Sequence, residues 1–439
     1  MSIARIIAAT AVVAGASTAM AQDVPDPNPI FNPDGTMTWY IGFNTQYPFL
    51  QDAIDAAQPG DELVITEGLY VESIEVNTPD LTIRPKVDTS GDWEEVILWN
   101  PTEGFENDND FAIKVSANTN NTYIGRPRQF TQLANGTTVD TEILPGEYNW
   151  DGTAGTEEDV DDINVSLNDR VLTFWSRSMD NVCVWSDGGQ ATFNSCYMTG
   201  QNGFGGGILC TGDTNTTNFV TCKLEELNAP GLDMGGYPVN VITMIGGDSM
   251  NVMFSDCDVY DCTSGTLGAV YQVGGYCSFA NTNISDNNCY MGNGTVNIVG
   301  GSPSFSECEF KDNDSRYGTV YSDSTGLSRD RITSFNECEF DNNDTEDNTY
   351  GGVFSAIDAS AGGSPLVHFS RCEVEDNNGT SDMTTYDIDT PYFPEYRIGE
   401  DFNSTSTSGP STIPGDLNAD GVVNGADMGI LLGNWGLSG

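Results

Sequence analysis

The chain has 439 residues, and its 65 Asp and Glu against 15 Lys and Arg give a formal net charge of −50. Such an acidic surface repels nucleic acid and anionic lipid, and it weakens the capture of polyuronate chains unless cations bridge the two. The composition therefore excludes a nucleic-acid partner. The length is sufficient for one long domain and a small additional module.

The first 21 residues have the pattern of a secretory signal peptide. Arg5 supplies the positive start, residues 6–16 the short apolar run, and Ala19 to Ala21 the small-x-small cleavage site before Gln22. The apolar run is too short to cross a bilayer, and no later segment approaches the required length. We therefore expect a secreted protein, extracellular or at the cell surface, with no membrane insertion.

A repeat that begins with phenylalanine runs from residue 193 to residue 374. Each copy reads Phe-x-x-Cys/Thr-x-apolar, and the copies recur at spacings of 26, 35, 25, 26, 30 and 34 residues. Self-similarity at this period indicates a stacked solenoid, so we expect the repeated rings in one interior file. The repeated residues are Phe193, Phe219, Phe254, Phe279, Phe305, Phe335 and Phe369.

Corners and short strands alternate within each copy. Five residues after the Cys/Thr position stand Asn287, Asn313, Asn343 and Asn377. Asn tolerates the left-handed backbone of a sharp corner, and stacked Asn side chains can bond to one another. A glycine-led strand follows each corner, and no helical crossover is present. Three strands and three corners per turn predict an all-β, parallel β-helix solenoid rather than a leucine-rich repeat or a propeller.

The start of the domain carries a second set of signals. Residues 48–57 place Leu50, Ala53, Ile54 and Ala57 on one face, which predicts a short amphipathic helix. A motif follows it: Pro59, Gly60, Asp61, Val64, Gly68, Tyr70, Glu72, Ile74 and Val76. This motif resembles the first coil of the pectate-lyase-like superfamily. The resemblance covers residues 47–380 at the level of architecture, and it implies a right-handed parallel β-helix with an N-terminal capping helix.

The resulting division of the chain has five parts. We expect a signal peptide at 1–21, a leader segment at 22–46, the β-helix at 47–402 with irregular loops at 100–170, a linker at 403–414 and a small tail at 415–439.

The repeat contains a column of cysteines that stands beside the phenylalanines. An inward strand position there favours a small, mostly apolar side chain, and buried Cys meets that requirement. Disulfides between neighbouring coils remain the alternative, since the spacing of stacked strands permits them. The Thr in the column favours free thiols. The column is Cys196, Cys222, Cys257, Thr282, Cys308, Cys338 and Cys372.

Four carboxylates in two consecutive copies are the weak candidates for a catalytic site: Glu307, Glu309, Glu337 and Glu339. Because the two copies form consecutive coils, we expect the four carboxylates to lie close together on the outer surface. Neighbouring carboxylates raise one another's pKa or bind a cation, and a pair about 5 Å apart suits a retaining glycosidase. The alternative is a solvated acidic face. The polygalacturonase motifs of the superfamily are missing, and a single His argues against a zinc site or a Ser-His-Asp triad.

Tryptophan is concentrated in the first 190 residues, where six of the seven are found. Exposed aromatic rings stack on sugar rings, so a glycan platform is one hypothesis and half-buried packing is the other. The six are Trp39, Trp93, Trp99, Trp150, Trp175 and Trp185.

The tail contains oxygen ligands at the spacing of a calcium loop. Six ligand residues fall at loop positions 1, 3, 5, 7, 9 and 12, and Gly421 stands at position 6. In that order the ligands are Asp416, Asn418, Asp420, Val422, Asn424 and Asp427. Met428, Leu431, Leu432 and Trp435 then form an apolar stripe on the predicted exiting helix. The pattern predicts an EF-hand-like loop and helix that bind Ca²⁺.

Residues 415–436 resemble a single type I dockerin repeat, with Asp at the last ligand position. The resemblance implies a cohesin-like or cell-surface receptor as partner of the tail. Dockerins usually carry two such repeats and only one is present here, so a surface-sorting or self-associating tag is the alternative. Two functions follow from the sequence. The first is a non-catalytic surface or matrix component that binds a polysaccharide and is attached through its calcium-dependent tail. The alternative is a polysaccharide lyase or glycoside hydrolase.

Overall fold

The structure is a computed structural model. It describes residues 29–345 with gaps, the longest at 100–110 and 142–171, and short stretches between 353 and 404. In these residues three long parallel sheets, A, B and C, run side by side along the molecule, and the chain visits them in turn once per coil. A fourth, narrow sheet, D, accompanies the later coils. The predicted all-β parallel β-helix is therefore confirmed.

Sheet A has 13 strands. They are Ile30–Phe31, Met37–Ile41, Glu62–Ile65, Thr82–Pro85, Thr122–Gly125, Ala191–Asn194, Asn218–Val220, Asn251–Ser255, Tyr276–Ala280, Ser302–Ser306, Arg331–Asn336, Pro365–Ser370 and Arg397–Ile398. The first two strands precede residue 47 and pair as an antiparallel hairpin, so sheet A begins within the segment that was expected to be a leader.

Sheet B has 11 strands and sheet C has 10. Those of sheet B are Gly68–Val71, Val96–Trp99, Leu172–Ser176, Cys196–Gly200, Lys223–Glu225, Asp258–Tyr260, Asn283–Ser285, Glu309–Lys311, Glu339–Asp341, Glu373–Glu375 and Asn403–Ser404. Those of sheet C are Ile74–Val76, Phe111–Ser116, Val182–Asp187, Gly206–Thr211, Ile242–Ile245, Val270–Val273, Val296–Val299, Val320–Asp323, Phe354–Ile357 and Ile388–Asp389.

Sheet D and two hairpins complete the strands of the described residues. Sheet D comprises Asn228–Ala229, Thr263–Ser264, Asn288–Cys289, Asp314–Ser315 and Asp344–Thr345. The hairpins are Gln129–Gln132 with Thr138–Thr141 and Asp233–Met234 with Tyr237–Pro238. The later coils thus have a short fourth strand in addition to the three expected.

The seven repeated phenylalanines form one interior file, as predicted. Each is the register partner of the next in sheet A. Their rings stack with centroids 4.6–5.2 Å apart and planes within 5–13° of parallel. All seven side chains are almost fully buried. Burial of each ring contributes about 1.5–3 kcal/mol, so the file is a main source of cohesion between coils.

A ladder of buried asparagines lies at the corner between sheets B and D. Asn287 donates from Nδ2 to Oδ1 of Asn313 at 3.0 Å, Asn313 donates to Asn343 at 2.9 Å, and Asn343 to Asn377 at 2.7 Å. Each Nδ2 also donates to a backbone carbonyl of the preceding coil. The predicted bonding between stacked amides is confirmed.

The expectation that these asparagines adopt the left-handed backbone is wrong. The residues with positive φ stand one position earlier, as at Asp286 (53°), Asp312 (52°) and Asn342 (51°). The left-handed residue turns the chain, and the asparagine after it points inward. A buried amide needs its bonds satisfied, and the ladder does so coil by coil.

All eleven cysteines are buried free thiols. The thiols of the cysteine column donate to backbone carbonyls, as Cys222 Sγ does to Phe193 O at 3.4 Å. Burial raises the pKa of Cys183 to about 12, which keeps that thiol protonated and unreactive. Cys262 takes the ladder position before Asn287, whose Oδ1 accepts from the Cys262 N–H at 3.2 Å. The cysteines of the column are therefore unpaired, as predicted, and so are the five cysteines outside it.

The predicted N-terminal helix is present as Leu50–Ala56, with Leu50, Ala53 and Ile54 buried. Glu72 accepts the N–H groups of Leu50 at 2.9 Å and Gln51 at 3.1 Å, which have no partner inside the helix. Burial raises the pKa of Glu72, and these two bonds oppose the rise. The role of this helix as a cap stays a prediction.

Asp61 of the first-coil motif also has a structural role. Its carboxylate accepts from the N–H of Met37 at 2.8 Å, the N–H of Gln58 at 2.9 Å and Nε1 of Trp39 at 2.9 Å. Asp61 is almost fully buried, and three donors compensate its charge. Asp61 and Glu72 therefore hold the helix and the first strands together, which explains why acids stand at these motif positions.

Candidate functional site

The outer surface of sheet B, called here the B face, is the candidate functional site. Strand residues alternate between interior and exterior, and the middle residue of each short strand is buried, as at Leu224, Val259 and Phe310. The residues on either side form two outward rows in register along the coils. One row is Ile97, Thr173, Tyr197, Lys223, Asp258, Asn283, Glu309, Glu339 and Glu373. The other is Val71, Trp99, Trp175, Thr199, Glu225, Tyr260, Ser285, Lys311 and Asp341.

The first coils of the B face are apolar and aromatic. Trp99 and Trp175 are register partners, and their rings meet edge to face at 6.0 Å with an interplanar angle of 89°. Both are half-buried, and Val71 before them is 41% exposed. Of the six tryptophans singled out from the sequence, Trp39 is buried and Trp185 lies on sheet C. Trp93 and Trp150 lie outside the described residues.

A lysine cluster occupies the middle of the B face. The Lys223 ammonium lies 3.1 Å from Glu225 Oε1 and 3.7 Å from Asp258 Oδ2, and 5.4 Å from the ring centre of Tyr260. Tyr197 donates its hydroxyl to Glu225 Oε2 at 2.8 Å. The Lys223 side chain is only 14% exposed and that of Asp258 10%. Charges, hydroxyls and two phenol rings are thus held in a fixed arrangement beside the tryptophan pair.

The four predicted carboxylates divide into two pairs. Glu309 and Glu339 are register partners on the B face, with Glu373 next to Glu339. Glu307 and Glu337 instead occupy the corner between sheets A and B, in left-handed backbone with φ of 55° and 56°. Both corner residues are exposed, and Arg371 of the next coil forms an ion pair with Glu337. The prediction of one four-carboxylate group is therefore wrong, because the corner turns two of the four away.

The electrostatics of the later B face reflect crowding of like charge. The pKa of Glu339 is raised by partial burial first and then by Glu309, Glu373 and Asp341. Lys311 opposes this rise, and its own pKa is raised by Asp341, whose Oδ2 lies 3.4 Å from Nζ. In the described part of the chain, no group of three or more His, Cys, Asp or Glu side chains is arranged to hold a metal ion.

A second lysine, Lys114, lies on the outer surface of sheet C. Its ammonium is 3.2 Å from Asp187 Oδ2, 3.8 Å from Glu75 Oε1 and 4.1 Å from the ring centre of Trp185. Ser116 donates to Glu75 at 2.7 Å, and Thr211 donates to Asp187 at 3.0 Å. Lys114 itself fills the space over the indole, so this cluster joins neighbouring coils and leaves that ring face covered.

The lysine cluster of the B face was missed by sequence reasoning. Lys223 and Asp258 each follow a cysteine of the column by one residue, and Glu225 and Tyr260 follow by three. Extending the repeat alignment to these positions brings the four residues onto two adjacent strands. The repeat alignment therefore predicts that these four residues are neighbours. They were missed because the residue type at these positions changes from copy to copy.

The calcium-loop prediction concerns the tail of the chain. Asp416, Asn418, Asp420, Val422, Asn424 and Asp427 lie outside the described residues. In the part that is described, no helix has the length and apolar character required to cross a membrane.

The chain is similar in structure to several carbohydrate-active proteins. Carrot pectin methylesterase is 10% identical with a TM-score of 0.36, over 86% of this chain and 90% of the carrot chain. The alginate lyase of Paenibacillus sp. is 10% identical with a TM-score of 0.33, over 84% and 99%. The pectin methylesterase of Aspergillus niger is 10% identical with a TM-score of 0.28, over 89% of each chain.

Neither protein-family models nor curated protein sequences give a match to this chain. The assignment of the fold therefore depends on its own sheets and register, which define a parallel β-helix.

Proposed function

We propose that the B face binds an uncharged polysaccharide that lies along the stacked coils. The observation that carries this proposal is the placement of Trp99 and Trp175 on the same face as the lysine cluster. Indole rings offer apolar faces to the C–H groups of a sugar, and the cluster offers charged and hydroxyl groups for its hydroxyls. Both parts are needed to hold a polysaccharide and to fix its orientation.

The regular spacing of the B face suits a repeating ligand. Neighbouring strands are about 4.8 Å apart, so equivalent side chains recur at this interval along the face. The ion pairs of Lys223 and the Tyr197–Glu225 hydrogen bond hold the cluster before any ligand arrives. Little side-chain entropy is then lost on binding, which favours affinity.

Charge selects the class of polysaccharide. The chain carries −50 overall, and Lys223 is already accompanied by two carboxylates. A polyuronate would meet repulsion along the later coils, where Glu309, Glu339 and Glu373 follow one another. An uncharged glycan meets no such cost. We therefore expect binding of neutral glucans, xylans or mannans and weak binding of pectate or alginate in the absence of Ca²⁺.

The test is the affinity of full-length protein for soluble neutral polysaccharides, measured by calorimetry. Trp175→Ala should weaken binding about tenfold, which corresponds to loss of one aromatic contact. Tyr276→Ala removes a half-exposed ring from sheet A and serves as the matched control. A Trp175→Ala protein that binds every polysaccharide as tightly as the wild type would contradict the proposal.

A second candidate function is glycoside hydrolysis, and the raised pKa of Glu339 favours it. A general acid must be protonated when it meets the glycosidic oxygen, and Glu309 stands in register on the next strand. Carboxyl groups on adjacent strands, about 4.8 Å apart, come near the roughly 5 Å separation of a retaining glycosidase.

Release of reducing ends from the same polysaccharides tests hydrolysis. Glu339→Gln and Glu309→Gln should each abolish the release, whereas Glu307→Gln at the corner should leave it unchanged. Binding without any release by the wild type would leave the non-catalytic function.

The tail is proposed to bind Ca²⁺ and to attach the protein to a cohesin-like or cell-surface receptor. A segment this short has one apolar helix stripe and nothing within itself to cover that stripe, so folding should depend on the metal. Addition of Ca²⁺ should change the fluorescence of Trp435, and Asp416→Ala with Asp420→Ala should remove the change. A double variant that responds like the wild type would show that the loop does not bind Ca²⁺.

Export is proposed from the N-terminal pattern. The mature protein should begin at Gln22, which N-terminal sequencing of secreted material tests. Material that retains Met1 and remains inside the cell would contradict this proposal.

A further inference from the structure

The side-chain amide of Asn297 is one of the buried polar groups of the described residues whose hydrogen bonds are incomplete. Asn297 belongs to the sheet C strand Val296–Val299, and its residue exposure is 1%. Its Oδ1 is buried and accepts no hydrogen bond. The neighbours Val296 and Ile298 point into the core, so alternation directs Asn297 to the outer surface of sheet C. Buried polar atoms without partners are rare in native proteins and call for an explanation.

Tyrosines surround this amide. Asn297 is the register partner of Tyr271 on one side and of Tyr321 on the other. Each lies about 4.8 Å away along the sheet, so the amide forms the floor between two phenol-bearing strands. The ring of Tyr317 contacts that of Tyr321 at 5.9 Å, and the Arg316 guanidinium lies 4.7 Å from the ring centre of Tyr317. We call Tyr271, Asn297, Tyr317 and Tyr321 the tyrosine slot.

The loop that carries Tyr317 is fixed to the preceding coil. Arg316 N–H donates to Gly292 O at 3.2 Å, and Tyr317 N–H donates to Asn293 O at 2.9 Å. Tyr271 on the other side is half-buried. Its pKa is raised, mainly by burial and then by Asp323. One wall of the slot is thus held by backbone bonds, and the opposite wall, Tyr271, is the side chain through which the slot reaches solvent.

We infer that the tyrosine slot is a binding site for a neutral sugar residue, separate from the B face. The ligand must offer a hydrogen-bond donor to Asn297 Oδ1 and apolar C–H faces to the phenol rings, and a sugar ring offers both. An anionic sugar is disfavoured by Asp323, which stands two residues after Tyr321 on the same strand of sheet C. This inference does not depend on the proposed function of the B face, since it concerns a different sheet and different residues.

Because the Asn297 side-chain oxygen has no hydrogen-bond partner, replacing Asn297 should affect stability and sugar binding in different ways. Replacement of Asn297 by leucine, which has nearly the same size, removes a buried polar atom without a partner. Such a change is neutral or stabilising when no ligand is bound. The same change removes the only acceptor that the slot offers from its floor. Asn297→Leu should therefore bind sugar at least about tenfold more weakly, since a buried hydrogen bond is lost, while its melting temperature stays equal or rises.

The experiment uses full-length protein and homo-oligosaccharides of glucose, xylose and mannose, with calorimetry for affinity and saturation-transfer NMR for contact. Asn297→Leu and Tyr271→Ala are compared with Asn251→Leu, an exposed asparagine of sheet A. Trp175→Ala separates the slot from the B face. Binding that survives in Trp175→Ala and is lost in Asn297→Leu supports the inference, whether or not the B face binds.

Two outcomes would overturn the inference. The first is an Asn297→Leu protein that keeps wild-type affinity at every site. The second is a Trp175→Ala protein that binds none of the three sugar series, which would leave a buried water as the only partner of Asn297. In that second case the polysaccharide proposal for the B face would still stand, because all measured binding would then depend on Trp175.

Discussion

The early and late coils of the β-helix share one backbone plan but differ in what fills it. In the early coils the interior file of sheet A is Trp39, Leu63, Ile83 and Ile124, and it continues directly into Phe193 of the phenylalanine file. The late coils repeat the same residue types in register. Hydrophobic burial alone is therefore enough to build a coil, and identical stacked residues fix which strand pairs with which.

The outward residues of sheet B also differ between the early and the late coils. The early B face presents tryptophans and aliphatic residues, and the late B face presents Glu309, Glu339 and Asp341 around Lys311. Regular interior and acidic exterior coincide in the late coils, whereas irregular interior and aromatic exterior coincide in the early ones. A solenoid can vary its outer rows freely because those rows do not set the register. The lysine cluster stands at the junction between the two kinds of face.

The largest expected effect concerns the phenylalanine file. Phe279→Ala should lower the free energy of unfolding by about 3–5 kcal/mol, since the ring is fully buried between two stacked partners. Tyr276→Ala, on the same strand but 49% exposed, should change it by less than about 0.5 kcal/mol. Chemical unfolding followed by circular dichroism measures both. Equal effects at the two positions would show that the file does not hold the late coils together.

The phenylalanine file also shows what the sequence can and cannot reveal. Seven Phe at a fixed offset from the cysteine column are visible without a structure, because identity is repeated. Ile83 and Ile124 hold the same position in the early coils, yet no repeat marks them, since any bulky apolar residue packs there. The B face was predicted only in part for a similar reason. Its register followed from the repeat, but the corner that separates Glu307 from Glu309 depends on a left-handed backbone at Glu307.

The asparagine ladder is expected to have the next largest effect. Asn313→Ala removes the Oδ1 that accepts from both Nδ2 and the backbone N–H of Asn287, and the Nδ2 that donates to the carbonyl of Ile284. Oδ1 of Asn343 loses one of its two donors and keeps the backbone N–H of residue 313. Each buried group without a bond costs about 1–3 kcal/mol, part of which relaxation recovers, so we expect a loss of about 2–4 kcal/mol. The exposed Asn251→Ala is the control. A loss below 1 kcal/mol, in the range of ordinary surface changes, would mean that the ladder fixes register without adding stability.

A smaller effect is expected for the ion pairs of the early coils. Lys114→Met keeps the length of the side chain but removes its bonds to Asp187 and Glu75. Both carboxylates are more than one third exposed, so the cost should be only about 0.5–1 kcal/mol. High salt should reduce the difference between Lys114→Met and the wild type, because it screens the lost attraction. A salt-independent difference would assign the effect to packing on Trp185 instead.

The smallest expected effect is the change in stability caused by Glu339→Gln on the acidic late B face. Native Glu339 has a raised pKa, so the folded protein binds its proton more readily than the unfolded chain, and stability must fall as pH rises through this range. Glu339→Gln removes the unfavourable charge and should be slightly more stable than the wild type at neutral pH. The advantage should vanish near the ordinary glutamate pKa, where the wild type is protonated as well. Unfolding of both proteins between pH 4 and pH 7 measures the difference, and high salt should diminish it. A variant less stable than the wild type at neutral pH would mean that Glu339 takes part in a favourable ion pair, and the late B face would then be as well compensated as the lysine cluster beside it.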